Sequence, residues 1–225
     1  MFDFSTFVEA YWKYYITIEH RFLRTEEYLA FDEANSKAFS IEYLSLLQII
    51  CSEIDVLAKA ICTYYDTSFK SKDASILKWG FELQQHFPDL MTQEIVFRES
   101  KRIKPWDKCE LTKKNNKNGN AYYKYKEGCG SPSWWTAYNK VKHSRTTLDG
   151  DAINFQKANQ KNVLTSLAAL YSLNRFIMVK LDNNGYVSIE KSSIFAMYKW
   201  SDELVEHNRI NPDGTVTMVV RAPWR

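Results

Sequence analysis

FQKANQKNVLTSLAALYSLNRFIMVKL, residues 155–181, decides the fold. Its apolar residues fall on two adjoining helical rows, Leu164, Leu167, Ala168 and Tyr171 on one, Ala169, Leu170, Leu173 and Phe176 on the other. A helix apolar on almost every side belongs at the centre of a bundle rather than on its surface. Lys157, Asn159 and Asn162 interrupt it in its first turns, and they are expected to face the region around His143.

Working outward, Phe4, Val8, Tyr11, Tyr15, Ile18, Phe22 and Leu29 recur at steps of three and four with only Thr25 between, which predicts an amphipathic helix capped by Asp3 or Ser5. The polar stretch DEANSKAFS then breaks the pattern, and Ser40 is the expected N-cap of IEYLSLLQIICSEIDVLAKAICTYY. These two helices are expected to fold back as an antiparallel hairpin. A shorter helix over about 73–87 ends before Pro88, because the residue preceding proline is driven out of helical geometry. Within the second helix Glu53 lies on the apolar row of Leu46, Ile49, Ile50, Leu57, Ala60 and Ile61, whereas Asp55 and Lys59 pair at the surface. A carboxylate on such a row either reaches a partner or sits at the edge of the stripe with its stem covered.

Few glycines and prolines, seven and five, and 45% hydrophobic residues in a chain of 225 indicate a mainly α protein with a sizeable core. No basic leader precedes an apolar segment and no run of about twenty apolar residues occurs, so the chain reads as soluble and cytoplasmic, without a membrane partner. Cys51, Cys62, Cys109 and Cys129 match neither a disulfide framework nor paired zinc ligands; reduced thiols, no metal and no cofactor are expected.

The charge is segregated. Residues 98–126 hold ten cations against three carboxylates, a local +7, and with +3 overall the rest of the chain carries −4. KKNNKNGN reads as a hairpin tip and AYYKYKE as a short strand. Basic residues interleaved with rings suit single-stranded nucleic acid, charge for phosphates and rings for bases; the candidates are Lys113, Lys114, Lys117, Lys124, Tyr122, Tyr123 and Trp106. The alternative is a solvated insertion.

WWTAYNKVKHSR, residues 134–145, follows, capped by Ser131 or Ser133 and ending near Thr147. Asn139 and His143 are four apart and share a face, with Lys142 and Arg145 close by, and Trp134, Trp135 and Tyr138 anchor the helix. This aromatic-rich WW-x-x-YN-x-VKH-x-R helix, followed by the long Ala/Leu helix, resembles the HEPN-like helical proteins of prokaryotic toxin, phage-defence and stress systems, over roughly residues 1–180. The resemblance implies a helical bundle that pairs as a homodimer through the motif helix, with the Glu53 helix beside it. It also implies a metal-independent ribonuclease site in which four to six residues separate an Arg from the His that follows it. Here those positions hold Thr136, Ala137 and Tyr138, so the motif is degenerate.

Three readings follow. In the first the chain is a nucleic-acid (RNA) or partner-binding module in which Asn139, His143 and Glu53 form a buried polar cluster. In the second it is an endoribonuclease, with His143 as general acid or base, Lys142 and Arg145 stabilising phosphate charge, Asn139 orienting the ring and Glu53 holding its tautomer. In the third it is a dimeric scaffold. The expected architecture is a helical bundle over 1–182 with a basic insertion at about 98–128, and a small β appendage over 183–225 packed on it. Within the appendage YVSIE and TVTMVV read as strands, NPDG as a turn and KWSDELVEH as helical turns.

Overall fold

The computed structural model describes residues 2–181, 187–200, 205–210 and 216–221. The protein is mainly α, with small antiparallel sheets. Its helices are α1 (Phe4–Phe7), continued through a π-helical turn (Val8–Trp12) into α2 (Lys13–Leu23) and a 3-10 turn (Arg24–Glu27), then α3 (Ile41–Tyr65), α4 (Ile76–His86), α5 (Ser133–Ser144) and α6 (Gln160–Lys180). Asp3 and Ser40 are the caps expected: Asp3 Oδ1 accepts from Thr6 N at 2.8 Å and Ser40 Oγ from Tyr43 N at 3.0 Å.

Three details differ from the sequence expectation. The π turn widens the spacing between Phe7 and Trp12, so Trp12 enters the core at 1% exposure and Tyr11 is left half-buried. Pro132, not a serine, stands at the N-cap of α5, and no side chain caps it. Last, α6 starts at Gln160 because Asn159 Oδ1 caps it by accepting from Asn162 N at 3.0 Å, after a 3-10 turn over Asn154–Lys157. Asn159 and Asn162 are therefore spent on the helix entry, and Asn162 Nδ2 donates to the Lys157 carbonyl at 2.8 Å.

From Ser166 to Met178 every residue of α6 is buried, as expected of a central helix. It shares with α3 the largest interface between helices. The buried Ser166 and Ser172 hydroxyls both donate back to carbonyls of their own helix, at 2.9 and 2.8 Å, so neither is stranded.

The strands are β1 (Ile95–Phe97), β2 (Lys101–Ile103), β3 (Leu111–Asn115), β4 (Ala121–Tyr125), β5 (Leu148–Asp149), β6 (Ala152–Ile153), β7 (Val187–Glu190), β8 (Phe195–Met197), β9 (Val205–Ile210) and β10 (Val216–Arg221). They form sheets β2-β1-β8 and β7-β10-β9 and hairpins β3-β4 and β5-β6. The strands expected from YVSIE and TVTMVV are present as β7 and β10. The end of KWSDELVEH is a strand, not helical turns, because β9 pairs along β10 from Val205↔Arg221 to Ile210↔Val216. Residues 201–204 and the NPDG turn lie outside the described residues. Through β8 the late segment joins β1 in one sheet, with Ile194 and Phe195 in the core.

Two polar devices fasten these parts. Each of four buried indoles donates its N–H to a distant acceptor: Trp12 to the Glu190 carbonyl (2.8 Å), Trp79 to Asp55 Oδ1 (3.0 Å), Trp106 to Ser172 Oγ (3.0 Å) and Trp134 to the Pro105 carbonyl (2.7 Å). The second is Glu19, 0% exposed in α2. Its carboxylate accepts from Tyr15 Oη, Ser192 Oγ (2.6 Å), Ser193 N (2.7 Å) and Ser193 Oγ (2.9 Å). A buried carboxylate is tolerable when its lone pairs are filled in this way.

Glu19→Ala strands those donors and is expected to lower unfolding free energy by about 2–4 kcal/mol in urea denaturation, with Glu19→Gln losing less because it keeps an acceptor oxygen. Equal losses for the two would refute the assignment.

Candidate nucleic-acid interface

The tryptophans set the orientation of α5. Trp134, Ala137, Tyr138 and Val141 form its buried row, with Trp134 at 5.3 Å from Trp106 and at 5.8 Å from Trp135 between ring centroids. At about 100° per residue His143 is turned about 200° from Val141, toward the outside. His143, Lys142 and Arg145 are all exposed, and Asn139 is half-buried. Lys142 Nζ lies 5.3 Å from the Tyr138 ring centroid. Among the described residues neither His143 nor Asn139 makes a side-chain hydrogen bond, and the buried polar cluster expected at this point is not formed.

Glu53 is elsewhere. It is half-buried, its carboxyl pKa raised by burial, and it lies close enough to Tyr11 that its charge adds to burial in raising that phenol. The expected contact with His143, Asn139 or Arg145 is absent, since Glu53 turns toward the π turn and not toward α5. The end of α5 is closed instead by backbone and by Asn154: Asn154 Nδ2 donates to the Ser144 carbonyl at 2.8 Å and Phe155 N to the Arg145 carbonyl at 2.9 Å. Asp149 bridges Lys140 Nζ (2.6 Å) and Lys157 Nζ (2.7 Å), tying α5 to the entry of α6.

The basic segment divides in two. Around β1 and β2 the cations are matched: Arg98 forks onto Glu26 (2.6 and 2.5 Å), Lys101 meets Glu33 (3.0 Å), and Arg102 and Lys104 share Glu94 (3.3 and 3.2 Å). At the root of the β3-β4 hairpin Lys126 meets Glu110 at 2.5 Å. Beyond that root Lys113, Lys114, Lys117 and Lys124 are exposed and form no ion pair among the described residues.

The hairpin is docked along α4. Gln84 clasps Leu111 through both backbone groups, at 2.9 and 3.2 Å, and Phe81 meets Tyr123 at 5.4 Å. A Cβ on Gly80 would come within 2.8 Å of Leu111 Cδ1, so a larger residue there would require the Leu111 side chain to shift. The pleat then sorts the side chains: Leu111, Lys113, Tyr123 and Tyr125 share the face that includes the docked Leu111 and Tyr123, while Thr112, Lys114, Tyr122 and Lys124 share the other. Lys114 stands opposite Tyr122, which is 43% exposed. Tyr123 is engaged with Phe81, and burial followed by the Glu82 charge raises its phenol.

Trp106 is corrected by the structure. At 1% exposure, between Trp79 and Trp134, it has no ring face to offer a base; the indole serves the core. Sequence reading also passed over Glu19. Its spacing of four from Tyr15 was the available signal, but the serines that fill it lie 173 and 174 residues away. Cys51, Cys62 and Cys109 are buried thiols, with Cys109 pushed up to about 12 by burial and by Cys129 nearby. Among the described residues no group of three or more His, Cys, Asp or Glu is placed to hold a metal ion, and no helix is long and apolar enough to cross a membrane.

Two expectations follow. Because His143 is exposed, His143→Ala should change unfolding free energy by no more than about 0.5 kcal/mol; a larger loss in denaturant titration would reveal a packed role. The hydrogen bonds from Lys140 and Lys157 lower the Asp149 pKa from 3.8 to about 2. A depressed carboxyl stabilises the fold above its unfolded pKa and loses that contribution as pH falls through the folded value. Asp149→Asn should therefore melt below the native protein near neutral pH, and the gap should close between pH 4 and 2; a gap constant over that window would mean the bridge is not ionic.

No family model matches the chain, and no curated protein or solved structure matches it.

Proposed function

We propose that this protein is a binding module for single-stranded nucleic acid, RNA in the first place, of the HEPN-like helical kind, with its helices in an antiparallel bundle and its ribonuclease motif degenerate. One observation supports this most: the carboxylates compensate the cations around β1 and β2 and leave those of the β3-β4 hairpin uncompensated. A polyphosphate backbone carries condensed cations; lysines clustered without counter-charges displace those ions and gain their release entropy. Tyr122 adds an exposed ring on the face of Lys114 and Lys124, where a base can stack. Lys117, near the hairpin tip, extends the track. Docking on α4 through Gln84 and Phe81 keeps the hairpin ordered before it meets a ligand, which limits the entropy lost on binding.

The test is fluorescence anisotropy with a labelled oligouridylate at several salt concentrations. Removing Lys114, Lys117 and Lys124 together is expected to flatten the dependence of log affinity on log salt by about 2, at about 0.7 per phosphate contact on a single strand. Tyr122→Ala is expected to weaken binding by about tenfold without changing that slope, because stacking is not ionic. An unchanged slope in the triple variant would overturn the reading. Shortened oligonucleotide after incubation with native protein, absent with His143→Ala, would replace it with the nuclease reading.

A further inference from the structure

A cavity of about 600 Å3 opens where the 3-10 turn Arg24–Glu27 meets the residues leading into α3. That volume falls among sites for small molecules. Two rings on its border are left to solvent, Tyr28 at 87% exposure and Phe39 at 44%. Phe39 is a fixed wall, held by an edge-on contact with Phe155 at 5.5 Å between centroids and by a backbone bridge to Asn159. Tyr43 also lines the cavity, and its buried hydroxyl lies 3.4 Å from Thr25 Oγ1 and 3.4 Å from Gln160 Nε2.

Four charged side chains line it, two of each sign. Arg21 and Glu42 are committed to each other by a forked contact, at 2.6 and 3.0 Å, which with the nearby Arg24 charge holds the Glu42 carboxyl below its ordinary range. Arg24 and Glu27 make no ion pair among the described residues. They are the first and last residues of a 3-10 turn, where side chains three apart eclipse and leave the backbone on the same side. The cavity thus presents one uncommitted cation, one uncommitted anion and aromatic walls, with no net charge. A ligand bearing only a carboxylate would set its charge near Glu27, and one bearing only an ammonium would face Arg24; a molecule with both satisfies both.

We infer that this cavity binds a small zwitterion with a planar apolar body, the chemical class of an aromatic α-amino acid. Arg24 takes the carboxylate, Glu27 the ammonium, and Tyr28 and Phe39 cover the ring. The site is separate from the basic hairpin and does not depend on that reading.

Isothermal titration with L-tryptophan as probe tests it, beside indole-3-propionate, which lacks the ammonium, and tryptamine, which lacks the carboxylate. Saturable binding of one L-tryptophan per chain is expected, with each fragment weaker by about tenfold, as for loss of one charged hydrogen bond. Arg24→Gln should weaken L-tryptophan and indole-3-propionate and spare tryptamine, and Glu27→Gln should weaken L-tryptophan and tryptamine and spare indole-3-propionate. Both side chains are exposed, so both variants should melt like the native protein. The Lys114, Lys117 and Lys124 triple variant should bind L-tryptophan as the native protein does. Absence of saturable binding, fragments as tight as L-tryptophan, or affinities indifferent to both substitutions would each overturn the assignment.

Discussion

An indole is bulky enough to fill a core and polar enough to require an acceptor there, and that requirement organises this molecule. Trp12, Trp79, Trp106 and Trp134 are almost wholly buried, and each N–H crosses to another part of the chain. Leaving one unpaired would cost about 1–3 kcal/mol of desolvation, so each bond selects an arrangement and not merely a compact one. Trp79 fixes α4 on α3, Trp106 fixes the loop before β3 on α6, and Trp134 fixes α5 on that same loop. The segment from Pro105 to Leu111 is therefore held from both helices, and the hairpin that leaves it projects from a rigid base.

The same packing decides what the surface of α5 can do. With Trp134, Tyr138 and Val141 inward, Asn139 and His143 are committed to other azimuths, and no adjustment of rotamers brings an imidazole on the outer side to a carboxylate beside the π turn. The imidazole keeps access to solvent and forgoes an orienting partner. A histidine without one lacks the fixed tautomer that acid or base chemistry relies on.

Local signals in the sequence located the elements well where the physics is local. Ser40 and Asp3 cap because a short oxygen-bearing side chain beside a helical run has free N–H groups within reach. The apolar rows of α6, the hairpin tip at KKNNKNGN and the stop before Pro88 belong to the same class. What stayed hidden depends on partners distant along the chain. Trp106 among lysines and tyrosines looks like a stacking residue until Ser172 and Trp134 are found around it. Glu53 was conspicuous on its apolar row, yet the carboxylate that is sealed in is Glu19, whose serines come from the segment after β7. The π turn shifts the buried stripe from Tyr11 to Trp12, an insertion that a fixed 3.6-residue period does not anticipate. Likewise the sorting of the basic segment rests on Glu26, Glu33 and Glu94, two of them far upstream.

Charge balance separates the two surfaces to which ligands are assigned. On the outer face of the hairpin Lys114 and Lys124 are diagonal neighbours across the strands, so their like charges lie within a screening length of each other. A phosphate set between them relieves that repulsion as well as gaining its own attraction, and added salt competes with it for both. At the cavity beside α3 the charges already sum to zero, and a zwitterion leaves that sum unchanged. Ion release contributes little there, and binding rests on paired hydrogen bonds and on covering Tyr28 and Phe39. Raising the salt concentration would thus weaken the nucleic acid proposed for the hairpin while leaving the zwitterion proposed for the cavity nearly untouched, which makes ionic strength the variable that tells the two sites apart within one molecule.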